Sequence, residues 1–315
     1  MIRTRLLFAG LSVSLVLMAC GGPPDTGPTT PKEGSKVVGA SLLTQTHVFY
    51  QNMVAAMQEE ASKHGFKLRL QYAEFDMRKQ NDQLEMFIAQ GVDAIILAPV
   101  ESSGVTPVVA EARKAGIPVF TADIAAHEAE VVSHIASDNY TGGVILGEYL
   151  AKLMNGKGQL AIIDHPTVES VQQRTAGFVE AIKKHPDIKI VERVPGEGQR
   201  DKAFKAAQDL IGANPELDAI FGINDDSALG ALAAVEEAGL EETIIIVGFD
   251  GTPEALKAIL RGTALKADTA QFPKEIGRTT IQTIAAYFRG DDVPPEVPVR
   301  VEIFDQARLQ AEQAQ

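Results

Sequence analysis

Ala94-Ile95-Ile96-Leu97-Ala98-Pro99-Val100 is an uncharged, almost wholly apolar run, followed by a stretch of helical pattern at Ser103–Ala115. Gly116-Ile117-Pro118 then punctuates the chain, and Val119-Phe120-Thr121-Ala122-Asp123 returns it to an apolar run. A short run without polar alternation reads as a strand covered on both faces, the environment of a parallel sheet. Parallel neighbours cannot be joined by a tight turn, so the helix between them is the crossover. This βαβ reading decides the fold.

The same alternation extends in both directions. Strands are expected at Val37–Leu43, Lys67–Ala73 and Val131–Ser137, with helices at Val48–His64 and near Gln80–Gln90. A second series follows, with strands at Gln159–Asp164, Ile188–Val194, Ala219–Asn224, Ile244–Asp250 and Leu265–Ala270. Helices near Gly142–Met154, Val168–Lys184, Asp201–Gly212, Ser227–Gly239 and Pro253–Arg261 separate them. Two such series predict an α/β protein of two similar doubly wound, Rossmann-like parallel-sheet lobes joined by crossover segments. From Lys36 onward there are about 280 residues, a natural length for two domains.

Ahead of the folded part, Arg3 and Arg5 precede an apolar stretch from Leu6 to Met18, which closes on Leu17-Met18-Ala19-Cys20. This is the order of an export signal ending in a lipobox, and the stretch is shorter than the about 20 apolar residues of a membrane span. Residues 1–19 are thus expected to be a lipoprotein signal peptide, with Cys20 the lipidated residue and 20–35 a flexible stalk rich in Gly, Pro and Thr. The protein is expected to work outside the cytoplasm, on a membrane only through its lipid, as a monomer.

Composition removes several function classes. The formal charge is −13, and loss of the signal's two arginines makes the mature chain more acidic still, which argues against nucleic acid. Cys20 is the one cysteine, so neither disulfides nor a thiolate metal site is expected, and the six histidines form no metal-binding pair at helical spacing. The chain has no Gly-x-x-x-x-Gly-Lys phosphate loop and no Gly-x-Ser-x-Gly elbow. No metal, no cofactor and no enzyme activity are expected.

In open parallel sheets, ligands bind beyond the carboxyl ends of the strands. Four expected strands finish on Asp123, Asn224, Asp250 and Gln271, with Phe249 beside Asp250. Asp and Asn at such places also cap the following helix, and for Asp225 and Asp226, just before Ser227, capping is the reading taken. Taken together, the four suit a neutral polyhydroxylated molecule: a carboxylate accepts from adjacent hydroxyls, and an amide both donates and accepts. No nucleophile with its base accompanies them. Used as a catalytic pair, Asp123 and Asp250 would instead act as glycosidase carboxyls, which requires a defined separation across the scissile bond.

Certain segments also resemble a known family. Glu130-Val131-Val132-Ser133-His134-Ile135-Ala136-Ser137-Asp138-Asn139 and Val247-Gly248-Phe249-Asp250-Gly251-Thr252-Pro253 look like signatures of the ribose-binding periplasmic proteins. Asn224-Asp225, followed by Ala228-Leu229-Gly230-Ala231-Leu232, and Ala270-Gln271-Phe272-Pro273 fit the same pattern. The resemblance runs from about Lys36 to the end. It implies two lobes that close around one monosaccharide or polyol and deliver it to the permease of an ABC importer. A three-segment hinge is implied near Asn139, Gln271 and Val299–Val301, with residues 36–137 and 272–300 in one lobe and 138–271 and 301–308 in the other.

Carried over position by position, the resemblance makes Asp123, Arg174, Asn224, Asp250 and Gln271 polar ligand contacts, and Phe49, Tyr50 and Phe249 ring-facing or pocket-wall aromatics. Three positions depart from it: His47 stands for an Asn, Ile124 for an Arg, and Gly198 for an aromatic. His47 is retained as a ligand contact. The departures leave a roomier, less cationic pocket, so a nucleoside is the alternative ligand. A sugar sensor for a chemotaxis or kinase partner is the alternative role, since both roles read the closed state. A sugar-responsive transcription regulator would need a basic helix-turn-helix where the export signal stands. Asp138 and Asn139 are read as hinge and turn residues, His134 as a hydrogen-bonded structural histidine, and Phe178 and Phe221 as core.

Overall fold

The computed structural model describes residues 35–314, so the signal, Cys20 and all of the stalk but its last residue lie outside the described residues. The chain opens with β1 (Val37–Leu42), α1 (Val48–Lys63), β2 (Lys67–Tyr72), α2 (Met77–Ala89), β3 (Ala94–Leu97), α3 (Thr106–Lys114), β4 (Val119–Ala122) and β5 (Ser133–Ser137). α4 (Asn139–Leu153) leads into β6 (Lys157–Asp164), α5 (Glu169–Lys183), β7 (Asp187–Pro195), α6 (Arg200–Ala213) and β8 (Leu217–Gly222). Then come α7 (Asp225–Glu237), β9 (Ile245–Asp250), α8 (Pro253–Leu260) and β10 (Leu265–Ala270). The chain ends with α9 (Pro273–Arg289), β11 (Glu296–Val299), β12 (Glu302–Asp305) and α10 (Gln306–Gln313).

The strands form two six-stranded sheets of the same design, ordered β11-β5-β4-β3-β1-β2 and β12-β10-β9-β8-β6-β7. Every pairing is parallel except that of β12 with β10. The chain therefore passes between sheets three times: from β5 to β6, from β10 to β11 and from β11 to β12. α9 packs on α1, β4 and β5, which returns the chain to the first sheet before β11. Each sheet reverses its winding between its first and third strands, and that switch point is where a doubly wound sheet opens a crevice.

Burial explains the strand pattern. All four residues of β3 are fully buried, as the unbroken apolar run required. The strand ends at Leu97 rather than Val100 because Pro99 has no N–H for the ladder. α3 likewise begins at Thr106 rather than Ser103, with Pro107 in its first turn, where a missing N–H costs nothing. Side-chain caps set several other starts: Asp76 for α2, Asp138 for α4, Thr252 for α8 and Asp305 for α10 each accept from a first-turn amide. Phe178 and Phe221 are fully buried and stack at 4.3 Å.

Candidate functional site

The strand ends of the two sheets face each other across one cavity of about 70 Å³. The first sheet brings Asp123, one residue past β4, and α1 brings His47, Phe49 and Tyr50 from its N-terminus. The second brings Asp250 from the end of β9, Asn224 from the turn before α7 and Arg174 from α5; Gln271 follows β10 at a crossing. Both cavity-lining aspartates occupy positive φ, Asp123 at 70° and Asp250 at 136°. Such backbone costs about 1–3 kcal/mol per residue and persists only where its surroundings enforce it. Asp123 and Asp250 are each 7% exposed, and Arg174 is 3% exposed.

The polar groups engage one another across the cavity. Tyr50 Oη donates to Asp123 Oδ2 at 2.6 Å. Gln271 Nε2 donates to Asp250 Oδ1 at 2.6 Å, while its Oε1 is buried with no donor from the protein. Arg174 gives Nε and Nη2 to Asn139 Oδ1 at 3.3 and 2.8 Å and Nη1 to the Ile223 carbonyl, and Nη1 lies 4.0 Å from Asp250 Oδ1. His47 caps α1: its Nδ1 accepts from Phe49 N–H at 3.1 Å, which leaves the proton on Nε2. That Nε2 stands 3.5 Å from both Asp226 Oδ2 and Asp250 Oδ2. Burial pushes the Asp123 carboxyl up to about 6, against the pull of the Tyr50 hydroxyl and Arg174. Burial raises Asp250 as well, and it lowers Arg174. One guanidinium thus faces a surplus of buried carboxyls, a balance that favours a neutral, hydroxyl-rich guest over an anion.

Residues 38–292 match the family model described as a periplasmic binding protein domain. The chain belongs to that family. Among its relatives is the ribose import binding protein of Escherichia coli (strain K12), 33% identical over 263 residues, spanning 83% of this chain and 88% of the relative. An ABC transporter solute-binding protein from Bacillus halodurans C-125, solved with bound myo-inositol, superposes with a TM-score of 0.83 at 29% identity. That match covers 90% of this chain and 99% of the other. The fructose-binding periplasmic domain of a hybrid two-component system superposes with a TM-score of 0.84 at 26% identity, covering 89% and 93%. By their names these relatives are solute-binding proteins, associated with ribose, myo-inositol and fructose.

Within the binding protein, the helix pair α4–α5 sets Arg174 in place. A Cβ on Gly143 would stand 1.9 Å from the Arg174 carbonyl, and one on Gly177 would stand 2.1 Å from the Tyr140 carbonyl. Gly147 makes the same close contact one turn on, where a Cβ would stand 2.8 Å from the Phe178 carbonyl, and together these glycines allow the approach that brings Asn139 of α4 under the guanidinium. Asn139, expected as a hinge residue, holds the Arg174 guanidinium through its Oδ1. Phe249 is the clear correction. It is fully buried beneath Gly142, with the Arg174 guanidinium 3.7 Å above its ring, and it does not line the cavity. Alternation along β9 turns Phe249 away as it turns Asp250 in.

The capping expectation for Asp225 and Asp226 also changes. Asn224 is the cap of α7, with Oδ1 accepting from Ser227 N–H at 2.9 Å and Nδ2 donating to the Gly198 carbonyl at 3.1 Å. Asp226 pairs with Arg200, while Asp225 is buried and accepts from Thr252 N–H at 2.6 Å. Ile124 and Gly198, the positions that depart from the ribose-binding pattern, both line the cavity. His165, after β6, lines it too and was not singled out from the sequence; the polar residue at a strand end was the available signal. His134 holds Thr121 Oγ1 at 2.8 Å, the structural role expected of it.

Proposed function

We propose that this chain is a lipid-anchored receptor that closes two lobes around one monosaccharide or polyol and presents the closed form to the permease of an ABC importer. The observation that carries the reading is the meeting of Asp123, Asp250, Arg174 and the donor-less Oε1 of Gln271 in one cavity fed by both sheets. A sugar hydroxyl supplies the donor that Gln271 lacks and bonds that Asp123 and Asp250 accept; a buried hydroxyl without a partner costs about 1–3 kcal/mol. Phe49 and Tyr50, with ring centroids 5.3 Å apart and edge to face, offer apolar surface to the C–H side of the ring. Asp123, Arg174 and Asp250 are all buried between the two sheets, so entry requires the lobes, 36–137 with 272–300 and 138–271 with 301–308, to part about the three crossings. Cys20 would carry the lipid that keeps the receptor at the membrane.

Sensing is the second reading, favoured by the likeness to the fructose-binding domain of a two-component system. The experiment is a thermal-shift screen of the chain against pentoses, hexoses, polyols and nucleosides. A ligand at 100 times its Kd stabilises by about 2.7 kcal/mol. Stabilisation by one sugar or polyol group supports the reading, and stabilisation by nucleosides alone replaces it. Loss of uptake of that sugar on deleting the gene separates import from sensing.

A further inference from the structure

Two carboxyl groups outside the cavity hold the turn that follows Asp250. Asp225, first residue of α7, is 1% exposed, and Asp268, in β10, is fully buried. Asp225 Oδ2 accepts from Thr252 N–H at 2.6 Å, and Asp268 Oδ1 accepts from Gly251 N–H at 2.8 Å. Their other oxygens, Asp225 Oδ1 and Asp268 Oδ2, are buried without any donor from the protein. Both stand against Gly248, where a Cβ would come within 3.2 Å of the first and 2.5 Å of the second. Two ionised carboxylates so placed repel each other strongly in a medium of low dielectric. One proton between them turns the contact into a short charge-assisted bond and satisfies both orphan oxygens.

We propose that Asp225 and Asp268 share a single proton, carried on Asp225 Oδ1 and directed to Asp268 Oδ2, and that this pair positions Asp250. Asp225 and Asp268 line no part of the cavity, so they are positioning residues. They act through the amides of residues 251 and 252, which fix the positive-φ backbone of Asp250 and hence the aim of its carboxylate. Asp225 also donates its own amide to Asp250 Oδ2, at 3.4 Å. The arrangement agrees with the direction in which burial and mutual repulsion drive the groups: Asp225 is raised well above the carboxylate range and Asp268 to about 6. The charges that face the pair are Asp250 from β9, which favours its protonation, and Arg174 from α5, which opposes it. Charges on the other packed elements are engaged elsewhere: Asp226 on α7 and Glu254 on α8 by Arg200, Asp305 on β12 by Tyr149, and Glu148 on α4 by Lys184.

The link to affinity rests on the sugar-binding reading of Asp250, whereas the proton itself can be tested without a sugar. In the full-length chain, Asp225→Asn and Asp268→Asn each keep one N–H bridge, one negative charge and both amide bonds. The double Asn variant sets two amide NH₂ groups against each other. Carbon-13 NMR of the ligand-free protein is expected to show one aspartic acid still protonated at neutral pH and absent from both single variants. Hydrogen exchange at residues 251 and 252, compared at one pH, is expected to stay slow in the wild type and both singles, and to quicken at least tenfold in the double variant. Titration with D-ribose and myo-inositol is expected to show affinity kept by the singles and reduced tenfold or more in the double variant. Ordinary carboxylate titration of both groups, or a double variant as protected as the wild type, overturns the proposal. If neither sugar binds while the NMR and exchange results hold, it is the sugar reading of the cavity that fails.

Discussion

Asp250 carries three burdens that a purely structural residue would shed. Its φ of 136° lies in a region open to glycine, its carboxyl is 7% exposed, and burial works against its charge. The strain alone costs about 1–3 kcal/mol. Replacement by glycine removes strain and buried charge together, and adds freedom to the unfolded chain worth about 0.4–1 kcal/mol. Asp250→Gly is therefore expected to melt no lower than the wild type while losing all sugar-dependent stabilisation. A variant that unfolds well below the wild type in denaturant would instead mark Asp250 as a structural residue. Asp123, at φ 70° and likewise buried, stands in the same position on the opposite lobe. That both cavity carboxylates sit at positive φ ties the backbone cost to what the cavity does.

At the scale of elements, the α4–α5 contact makes a sharp contrast available. At Gly143 a Cβ would stand 1.9 Å from the Arg174 carbonyl and 2.8 Å from Phe178 N, and backbone atoms cannot swing aside. At Gly212, in α6, nothing lies within 4 Å. Gly143→Ala is expected to cost about 1–3 kcal/mol by overpacking and to weaken sugar binding by displacing Arg174. Gly212→Ala is expected to stabilise by about 0.5–1 kcal/mol through helix propensity alone. Chemical denaturation of the pair checks both signs. The same level shows what could be read from residues in order. β3 was legible because long-range burial writes itself into an unbroken apolar run. β11 and β12 were not: Glu296–Val299 and Glu302–Asp305 are four-residue edge strands with charges and, in β11, a proline. They exist only because β5 and β10 offer them a partner. α9 went unread although Pro273 at its first turn is a start signal. In the cavity, strand-end polar residues could be found one by one. Asn139 under Arg174 and the Asp225–Asp268 contact could not, because each depends on two segments distant in sequence meeting at a chosen face.

For the whole molecule, the balance of buried titratable groups sets how stability responds to pH before any sugar arrives. Asp123 and Asp268 are pushed up to about 6, so between the ordinary carboxylate range and about 6 the folded protein holds protons that the unfolded chain releases. Stability from these two groups is complete below that window and is lost as pH rises through it. His134 is pushed down to about 4 by burial, so its contribution runs the other way: complete above its ordinary value and lost as pH falls toward 4. Surface carboxylates lowered by ion pairs, such as Glu59 and Glu254, act only in the more acidic range. Burial also raises Asp250 and Glu169 and lowers His165, so the raised carboxyls outnumber the two lowered histidines, and the melting temperature of the ligand-free protein is expected to fall as pH rises from about 4.5 to about 6.5. His134→Gln should steepen that fall, and Asp123→Asn should flatten it. A sugar bound as proposed would donate hydroxyls to Asp123 and Asp250 in their ionised form and so offset the cost of the buried charge. The stabilisation conferred by a sugar should therefore grow with pH through the same window, and melting curves at pH 5 and pH 7, with and without it, measure the difference directly. A shift equal at the two values would mean that the guest does not bond to the ionised carboxylates, and that closure is driven by the aromatic faces of Phe49 and Tyr50 instead.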